Sequence, residues 1–600
     1  MFRRTAVSVW TIVAILAFIA APASSAGGAA LPPQGLQSND AYAASFGDHH
    51  VKNVSATTQQ TSCYTPEVPF FTNDGPNDGY TGMTRCTRAT TGEAPGPYAT
   101  QLGSNAGYPA VTSMLVKDHS ESDIRVDPTN AKHLIGQSKW FVSAEGYNHL
   151  LGFYESFDGG QSWPNQGHVP GYEGWTDNTD PVGAFDRYGN FYSLVLPYQF
   201  FYNADGTHNF AINPNNMPNP SLPSEAITVA VRPHGASSAN DWIATHNGGP
   251  DYVAIYPAKG REPDKQWIAI DTNPKSQFVD RIYAMWVVFT GCCAAQPYVA
   301  TAQALPNGTH TDWSAPVALP QIPATPQGAT YLLPHIAPDG SVWTTLVNES
   351  PAHSFCCATI FVDSSKDGGA TWTSAGSIDN ITVPPFRYSN TTFRDGILQS
   401  FGVGPIKKKD GPYPLYISWE DGSTGFSNLF IAASYDEGAH WTTPIQVNDN
   451  VDPADEFQPN VDVAADGTVS VAFYDRRLAC PAERSDEAAA AGLALDRMNP
   501  RYAATPPYDA TNYCVNTSVQ FYTPKLAPKG NNLRLSAHSW DPQLNAPHSG
   551  CPTCLTTFIG DYFGIISANG TLYTTSVSTY DYGANSAHYQ QQIIGIVAIP

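Results

Sequence analysis

Three stretches of this 600-residue chain superimpose without gaps. They are Ser156-Phe157-Asp158-Gly159-Gly160-Gln161-Ser162-Trp163, Ser365-Lys366-Asp367-Gly368-Gly369-Ala370-Thr371-Trp372 and Ser434-Tyr435-Asp436-Glu437-Gly438-Ala439-His440-Trp441. The shared pattern is Ser-x-Asp-x-Gly-x-x-Trp, and each fixed position has a physical cause. The Asp accepts backbone N–H bonds inside a tight turn, the Gly takes positive φ, and the Trp lays an apolar plate outside the turn. The apolar, β-branched run Ala358-Thr359-Ile360-Phe361-Val362 leads into the second copy, as the arm of a hairpin would. The eight-residue pattern therefore marks architecture and carries no chemistry of its own.

Composition points the same way. Glycine (49) and proline (50) interrupt the chain too often for long helices, while 42 % hydrophobic and 12 % aromatic content suffices for a large core. Lys plus Arg is 30 against 52 Asp plus Glu, a net charge of −22. That balance excludes a surface that neutralises phosphates or docks on anionic lipid, so no nucleic acid and no membrane partner is expected. A monomer is expected.

The repeated pattern is the Asp-box, and the chain resembles the sialidase-like (Asp-box, or BNR-repeat) superfamily of β-propellers. A second phrase interleaves with the boxes: an apolar strand, a turn on Asp or Asn with Gly, and another strand. It recurs around Asp186-Arg187-Tyr188-Gly189, Pro338-Asp339-Gly340, Ala465-Asp466-Gly467 and Ala568-Asn569-Gly570. Each reads as the two inner strands of a blade. Modules fall near 112–170, 176–249, 263–320, 330–378, 393–449, 455–542 and 556–599. The expected fold is all-β: a β-propeller of six or seven four-stranded blades over 111–600, seven preferred, or six if the last segment completes the first blade. A loop insertion at about 478–515 holds one helix, with Ser485 as N-cap, Asp486 and Glu487 in the first turn, then Ala488 to Leu495. Residues 27–110 read as an irregular amino-terminal arm.

Arg3 and Arg4, the apolar run from Val7 to Ala21 and the small residues up to Ala26 describe a signal peptide over 1–26. The product is then secreted, extracellular or periplasmic. Ten cysteines suit that compartment as disulfides: Cys63 with Cys86, Cys480 with Cys514, and Cys551 with Cys554. The adjacent pairs Cys292-Cys293 and Cys356-Cys357 staple two loops or form vicinal bridges. Only one CxxC exists, so no zinc knuckle is read. No cofactor is expected; calcium is conceivable from the many Asp side chains, although no EF-hand loop occurs.

In a propeller the innermost strand starts at one face, and the loop between strands two and three returns to it. These positions surround one mouth. The strand starts supply Asp177 and Asp180, Lys265 and Trp267, Tyr331 and His335, Arg394 and Asp395, Asp455 and Glu456, and Asp561 and Tyr562. The loops supply Trp140, Glu420 and Asp421, and the dense run Tyr474-Asp475-Arg476-Arg477. Aromatic faces stack on sugar rings, while carboxylates and guanidinium groups bond hydroxyls or acids. Arg476 and Arg477 read either as a fork for a substrate carboxylate or as an inter-blade ion pair.

The resemblance implies an exo-acting glycoside hydrolase acting on extracellular glycans. In such a mechanism one carboxylate (Asp180, Asp475 or Asp561) protonates the leaving oxygen. Tyr474 with Glu456, or a second carboxylate, attacks or activates water. Arg281, Arg387, Arg394, Arg476, Arg477, Trp140, Trp267, His335 and Tyr562 then bind substrate. Where sialidases carry aromatic-Arg-Ile-Pro, this chain reads Asp123-Ile124-Arg125-Val126-Asp127-Pro128. The alternative is a non-catalytic propeller that binds glycan or protein across the same face, and a lyase is a third reading.

Overall fold

The strand Arg281–Thr290 reads Arg-Ile-Tyr-Ala-Met-Trp-Val-Val-Phe-Thr, apolar at both parities, so each of its faces needs a cover. In the computed structural model both are covered. Ile282, Ala284, Trp286 and Val288 pack on Leu194, Leu196, Ile227 and Val229 of the preceding sheet. Tyr283, Met285 and Val287 pack on Val342, Leu346 and Phe361 of the following one. Sheets stacked face to face in this way build their core in the seams between neighbours. At roughly 1.5–3 kcal/mol per large buried side chain, a seam outweighs exposed ion pairs such as Lys366–Glu437, worth ~0–1 kcal/mol each.

The structure describes residues 59–60, 118–141, 149–170, 177–198, 225–256, 262–290, 294–320, 331–349, 356–391, 393–396, 398–493, 508–542, 546–547, 557–582 and 590–600. The expected signal peptide, most of the 27–110 arm, Cys63, Cys86, Cys292, Cys293, Cys551 and Cys554 lie outside them, as do the side chains of Asp177 and Cys356.

Seven sheets of four antiparallel strands follow one another as simple meanders. Their innermost strands are Asp118–Asp127 (blade I), Asp177–Phe185 (II), Glu262–Ile270 (III), His335–Ile336 (IV), Gln399–Val403 (V), Glu456–Val463 (VI) and Gly564–Ala568 (VII). Each innermost strand touches the next, and Gly564–Ala568 touches Asp118–Asp127, so the ring is closed. The fold is a seven-bladed β-propeller. The choice between six and seven blades is settled by Gln59–Gln60, which the sequence assigns to the arm. It pairs with Ile593 and Ile594 as the outermost strand of blade VII, so the last segment completes its own blade.

The three repeated turns are superimposable in their bonding. Ser156 Oγ accepts from Gly160 N at 2.8 Å, and Asp158 Oδ1 accepts from Ser162 N at 2.9 Å. Ser365 with Gly369 and Asp367 with Thr371 repeat these bonds, as do Ser434 with Gly438 and Asp436 with His440. A Cβ on Gly376 of blade IV would lie 2.0 Å from Gly438 O of blade V, so the turns also lock neighbouring blades together.

In the insertion, Cys480 and Cys514 form a disulfide. Ser485 Oγ caps the helix Asp486–Ala490 by accepting from Ala488 N. The helix is shorter than the expected run to Leu495 because Gly492 turns left-handed (φ 81°) just beyond Ala491. Cys357 is disulfide-bonded as well. Among the described residues no helix is long and apolar enough to cross a membrane.

Candidate functional site

Four innermost strands slip register at the same level. The breaks fall between Ser120 and Asp123, Thr179 and Val182, Asp264 and Trp267, and Phe457 and Asn460. At each a non-glycine residue takes a left-handed backbone: Glu121 (φ 51°), Asp180 (52°), Lys265 (53°) and Gln458 (49°). Such a conformation costs of order 1–3 kcal/mol and is held where the surroundings over-determine it. Gly560 (φ 106°) brings the chain before blade VII against the first bulge, where a Cβ would sit 2.4 Å from Glu121 N.

The bulges gather charge from five blades. Lys265 Nζ lies 2.5 Å from Asp561 Oδ2 and 3.7 Å from Asp264 Oδ2. Arg394 Nη2 reaches Asp561 Oδ1 at 2.8 Å. Thr179 Oγ1 sits 2.5 Å from Asp180 Oδ1 and 3.4 Å from Glu121 Oε2, and Lys139 Nζ approaches Glu121 at 3.7 Å. Aromatic rings wall the cluster. Lys265 lies over Tyr331 at 5.5 Å, Arg394 over Phe558 at 4.6 Å, and Trp267 meets Tyr562 edge to face at 5.1 Å.

These neighbours drive the carboxyl groups apart. Burial, then the Asp180 charge, pushes Glu121 well above the carboxylate range. Asp180 is held below it: burial opposes ionisation, but Lys265, Lys139 and the Glu121 hydrogen bond outweigh it. Asp561 is likewise held low, against burial, by Arg394 and Lys265. Asp264 is pushed up to about 6, chiefly by burial. One cluster thus holds a carboxyl disposed to keep its proton beside carboxylates disposed to lose theirs.

An axial cavity of about 460 Å³ adjoins the cluster. Asp561, Tyr562, Trp267 and Gln458 line it at the level of the bulges. Asp123, Arg125, His335, Asn460 and Asp462 line it further along the same strands. Arg125 is held by Asp123 at 2.7 Å and by Gly183 O, and burial pulls His335 down to about 4. Of the residues expected at the mouth, Asp180, Asp561 and Arg394 converge in the cluster, and Trp267, His335 and Tyr562 line the cavity.

The dense run in blade VI sits elsewhere, and three expectations about it need correction. Glu456 pairs across the sheet with Asp475, and Phe457 with Tyr474, so Tyr474 and Glu456 point to opposite faces and do not meet. The Tyr474 ring is packed on Phe457 and Phe563, and its hydroxyl accepts from Val577 N at 3.1 Å. Burial raises that hydroxyl further above its ordinary range, which disfavours a phenolate nucleophile.

The arginine fork is equally engaged. Arg476 is wholly buried, bound to Asp455 at 3.3 Å and to the carbonyls of Asn512 and Tyr513. Arg477 binds Asp475 at 2.8 Å, Asn532 and Asp449. The ion-pair reading describes them, but only Arg477, through Asp449, links two blades; the partners of Arg476 all lie in blade VI. Glu456, facing the like charge of Asp475, is driven well above its ordinary range by burial and then by that charge. Nearby, Tyr388 Oη joins Asp395 and Glu420 at 2.6 Å each.

Two further residues are displaced from the mouth. Trp140 is buried against Gly152, with Nε1 donating to Ser138 Oγ. Arg281 starts a second strand, which begins at the opposite face, and binds Gly368 O in the second repeated turn. Sequence reading missed Glu121, Lys139 and Asp264. Nothing local marks the first two, whereas Asp264 adjoins Lys265 and a start-of-strand scan two residues wider would have included it.

No protein-family model and no curated protein matches the sequence. Among solved structures, a protein of unknown function from Dyadobacter fermentans aligns at 10 % identity over 90 % of this chain and 99 % of that one, TM-score 0.39. The sialidase of Trypanosoma rangeli aligns at 12 % identity over 82 % and 57 %, TM-score 0.33. An α-L-arabinofuranosidase from Fusarium graminearum aligns at 8 % identity over 70 % and 92 %, TM-score 0.35.

Proposed function

We propose that this chain is an exported, sialidase-like glycoside hydrolase that removes sugars from the ends of extracellular glycans. The observation that carries this reading is the opposite bias of two carboxyl groups in one axial cluster: Asp264 is pushed up to about 6 and Asp180 is held low. Glycoside hydrolysis needs that combination, one carboxylic acid to protonate the leaving oxygen and one carboxylate to attack or to activate water. Asp264 is the donor and Asp180 the carboxylate. Asp561 fixes Lys265 and Arg394; the Lys265 charge, with that of Lys139, keeps Asp180 ionised, and Lys265 and Arg394 bond sugar hydroxyls. Trp267 and Tyr562 offer aromatic faces to a ring. The amino-terminal pattern of basic, apolar and small residues supports export.

The test is release of aglycone from a panel of aryl glycosides and polysaccharides. Asp264→Asn lowers the rate by about 10²–10⁴-fold with thermal melting retained. Because the donor must be protonated, the wild-type rate falls as pH rises through about 6. Release unchanged in Asp264→Asn overturns the assignment. A second reading, a glycan-binding propeller without catalysis, is favoured by the near-complete burial of Glu121 and Asp561. It predicts retention on immobilised glycan with no product from any substrate.

A further inference from the structure

We propose that His246, Asp251 and His310 form a binding site for a divalent first-row transition ion, Zn²⁺ above all. It lies on the face opposite the axial charge cluster and braces blade II against blade III. Its donor atoms lie within 4.8 Å of one another. His310 comes from the loop between the third and fourth strands of blade III, Asp251 from the start of the fourth strand of blade II, and His246 from an inserted hairpin just before it. That hairpin, Thr245–His246 with Gly249–Pro250, turns on Asn247 (φ 51°) and Gly248 (φ 81°), a two-residue connection of type I′.

The surroundings are those of a ligand set. The His310 Nδ1 faces Thr311 O at 2.7 Å, which fixes that nitrogen as the N–H and turns Nε2 toward Asp251 Oδ2 at 2.6 Å. A backbone carbonyl behind one ring nitrogen is how metal-binding histidines are oriented. Asp251 Oδ1 accepts from Trp313 Nε1 at 3.2 Å, leaving Oδ2 to the site. Both Asp251 and His310 are more than nine-tenths buried. His246 Nε2 meets Asp312 Oδ1 at 2.9 Å, and Asn247 Nδ2 steadies that exposed carboxylate at 2.8 Å, which orients the His246 ring from outside the three-residue site.

Two imidazoles with one carboxylate, leaving the fourth position to water, suit Zn²⁺ rather than Ca²⁺ or Mg²⁺, which take oxygen sets. Tetrahedral bonds to Zn²⁺ put donors about 3.4 Å apart. The donor atoms here lie within 4.8 Å of one another, with the His246 and His310 rings stacked at a centroid separation of 4.6 Å, so a rotation of His246 closes the site. Its side chain is 20 % exposed on the hairpin.

The experiment uses the full chain stripped with a chelator, titrated with Co²⁺ as a spectroscopic probe and with Zn²⁺ by calorimetry. Expected are the visible d–d absorption of tetrahedral Co²⁺, bleached by one equivalent of Zn²⁺, and a rise in melting temperature of about 2–4 °C at a hundredfold excess over Kd. His246→Ala, which removes a partly exposed side chain, weakens Zn²⁺ binding at least tenfold while the metal-free melting temperature stays put. His310→Gln abolishes the absorption. Absence of the band, or a band and Kd unchanged in His246→Ala, overturns the proposal. Glycoside release that persists in both variants leaves the axial reading untouched, so the two proposals fail separately.

Discussion

The repeated turns and the axial cluster both rest on aspartates, but they satisfy them differently. In each turn the carboxylate finds its partners within four residues: Asp158 binds Ser156 and Ser162, Asp367 binds Ser365 and Thr371, and Asp436 binds Ser434 and His440. On the axis, Asp561 binds Lys265, 296 residues away, and Arg394, 167 residues away. Local satisfaction in half-exposed turns makes a spacer that tolerates repetition. Satisfaction across the ring, with little water, makes a site whose groups set one another's protonation. That coupling is where chemistry is possible.

The largest effect separating the two regions is loss of the shared anion. Asp561→Ala leaves Lys265 and Arg394 buried without their common partner, and breaking a buried pair in this way costs about 3–5 kcal/mol. Chemical denaturation of the variant checks it. A loss below about 1 kcal/mol would place the cluster in contact with bulk water and dissolve the contrast with the turns.

Next comes the proton on Glu121. Its pKa is raised in the folded chain, so the folded state holds a proton that the unfolded chain releases near the ordinary carboxylate pKa. Stability is therefore complete below that pKa and falls as pH rises above it, by on the order of 1 kcal/mol per unit until the folded pKa is reached. Glu121→Gln removes this loss. The variant matches the wild type near pH 4 and exceeds it by about 1–3 kcal/mol at pH 8. Melting curves across this range read the difference, and parallel pH profiles would mean that Glu121 is ionised in the fold.

The turns respond more weakly. Asp367→Ala removes the bonds from Ser365 Oγ, Thr371 N and Thr371 Oγ1 in a loop that water can re-solvate, a cost of about 1–2 kcal/mol. It leaves glycoside release unchanged. A loss as large as that of Asp561→Ala would mean that the turns, rather than the axis, carry the cross-ring coupling.

The same contrast explains what could be read in advance. The blades were legible, though six or seven stayed open, because the inner hairpin of a blade declares itself locally, through Asp186-Arg187-Tyr188-Gly189, Asp339-Gly340 and their equivalents. Asp180, Arg394 and Asp561 were legible as a set because the start of an innermost strand faces the axis in every blade. Their partners were not. Which cation meets which carboxylate depends on bulges at Glu121, Asp180 and Lys265, where bulky residues adopt a backbone that no propensity predicts. The density of Tyr474-Asp475-Arg476-Arg477 misled for the opposite reason. Adjacent residues on a strand face opposite sides, so a run of reactive side chains is divided by the sheet and cannot act as one site.

Tyr474 gives the smallest effect and the sharpest distinction. Its hydroxyl accepts from the amide of Val577, and its ring is held by Phe457 and Phe563. Tyr474→Phe keeps the ring and its packing, so stability drops by only about 0.5–1.5 kcal/mol for the lost hydrogen bond. Glycoside release stays within about twofold of wild type, since that change in rate is only ~0.4 kcal/mol of barrier. An attacking tyrosine, as in sialidases, would instead lose the reaction with its oxygen. Abolished release with intact melting would move the chemistry out of the axial cluster and into blade VI, and the pairing of Asp264 with Asp180 would fall with it.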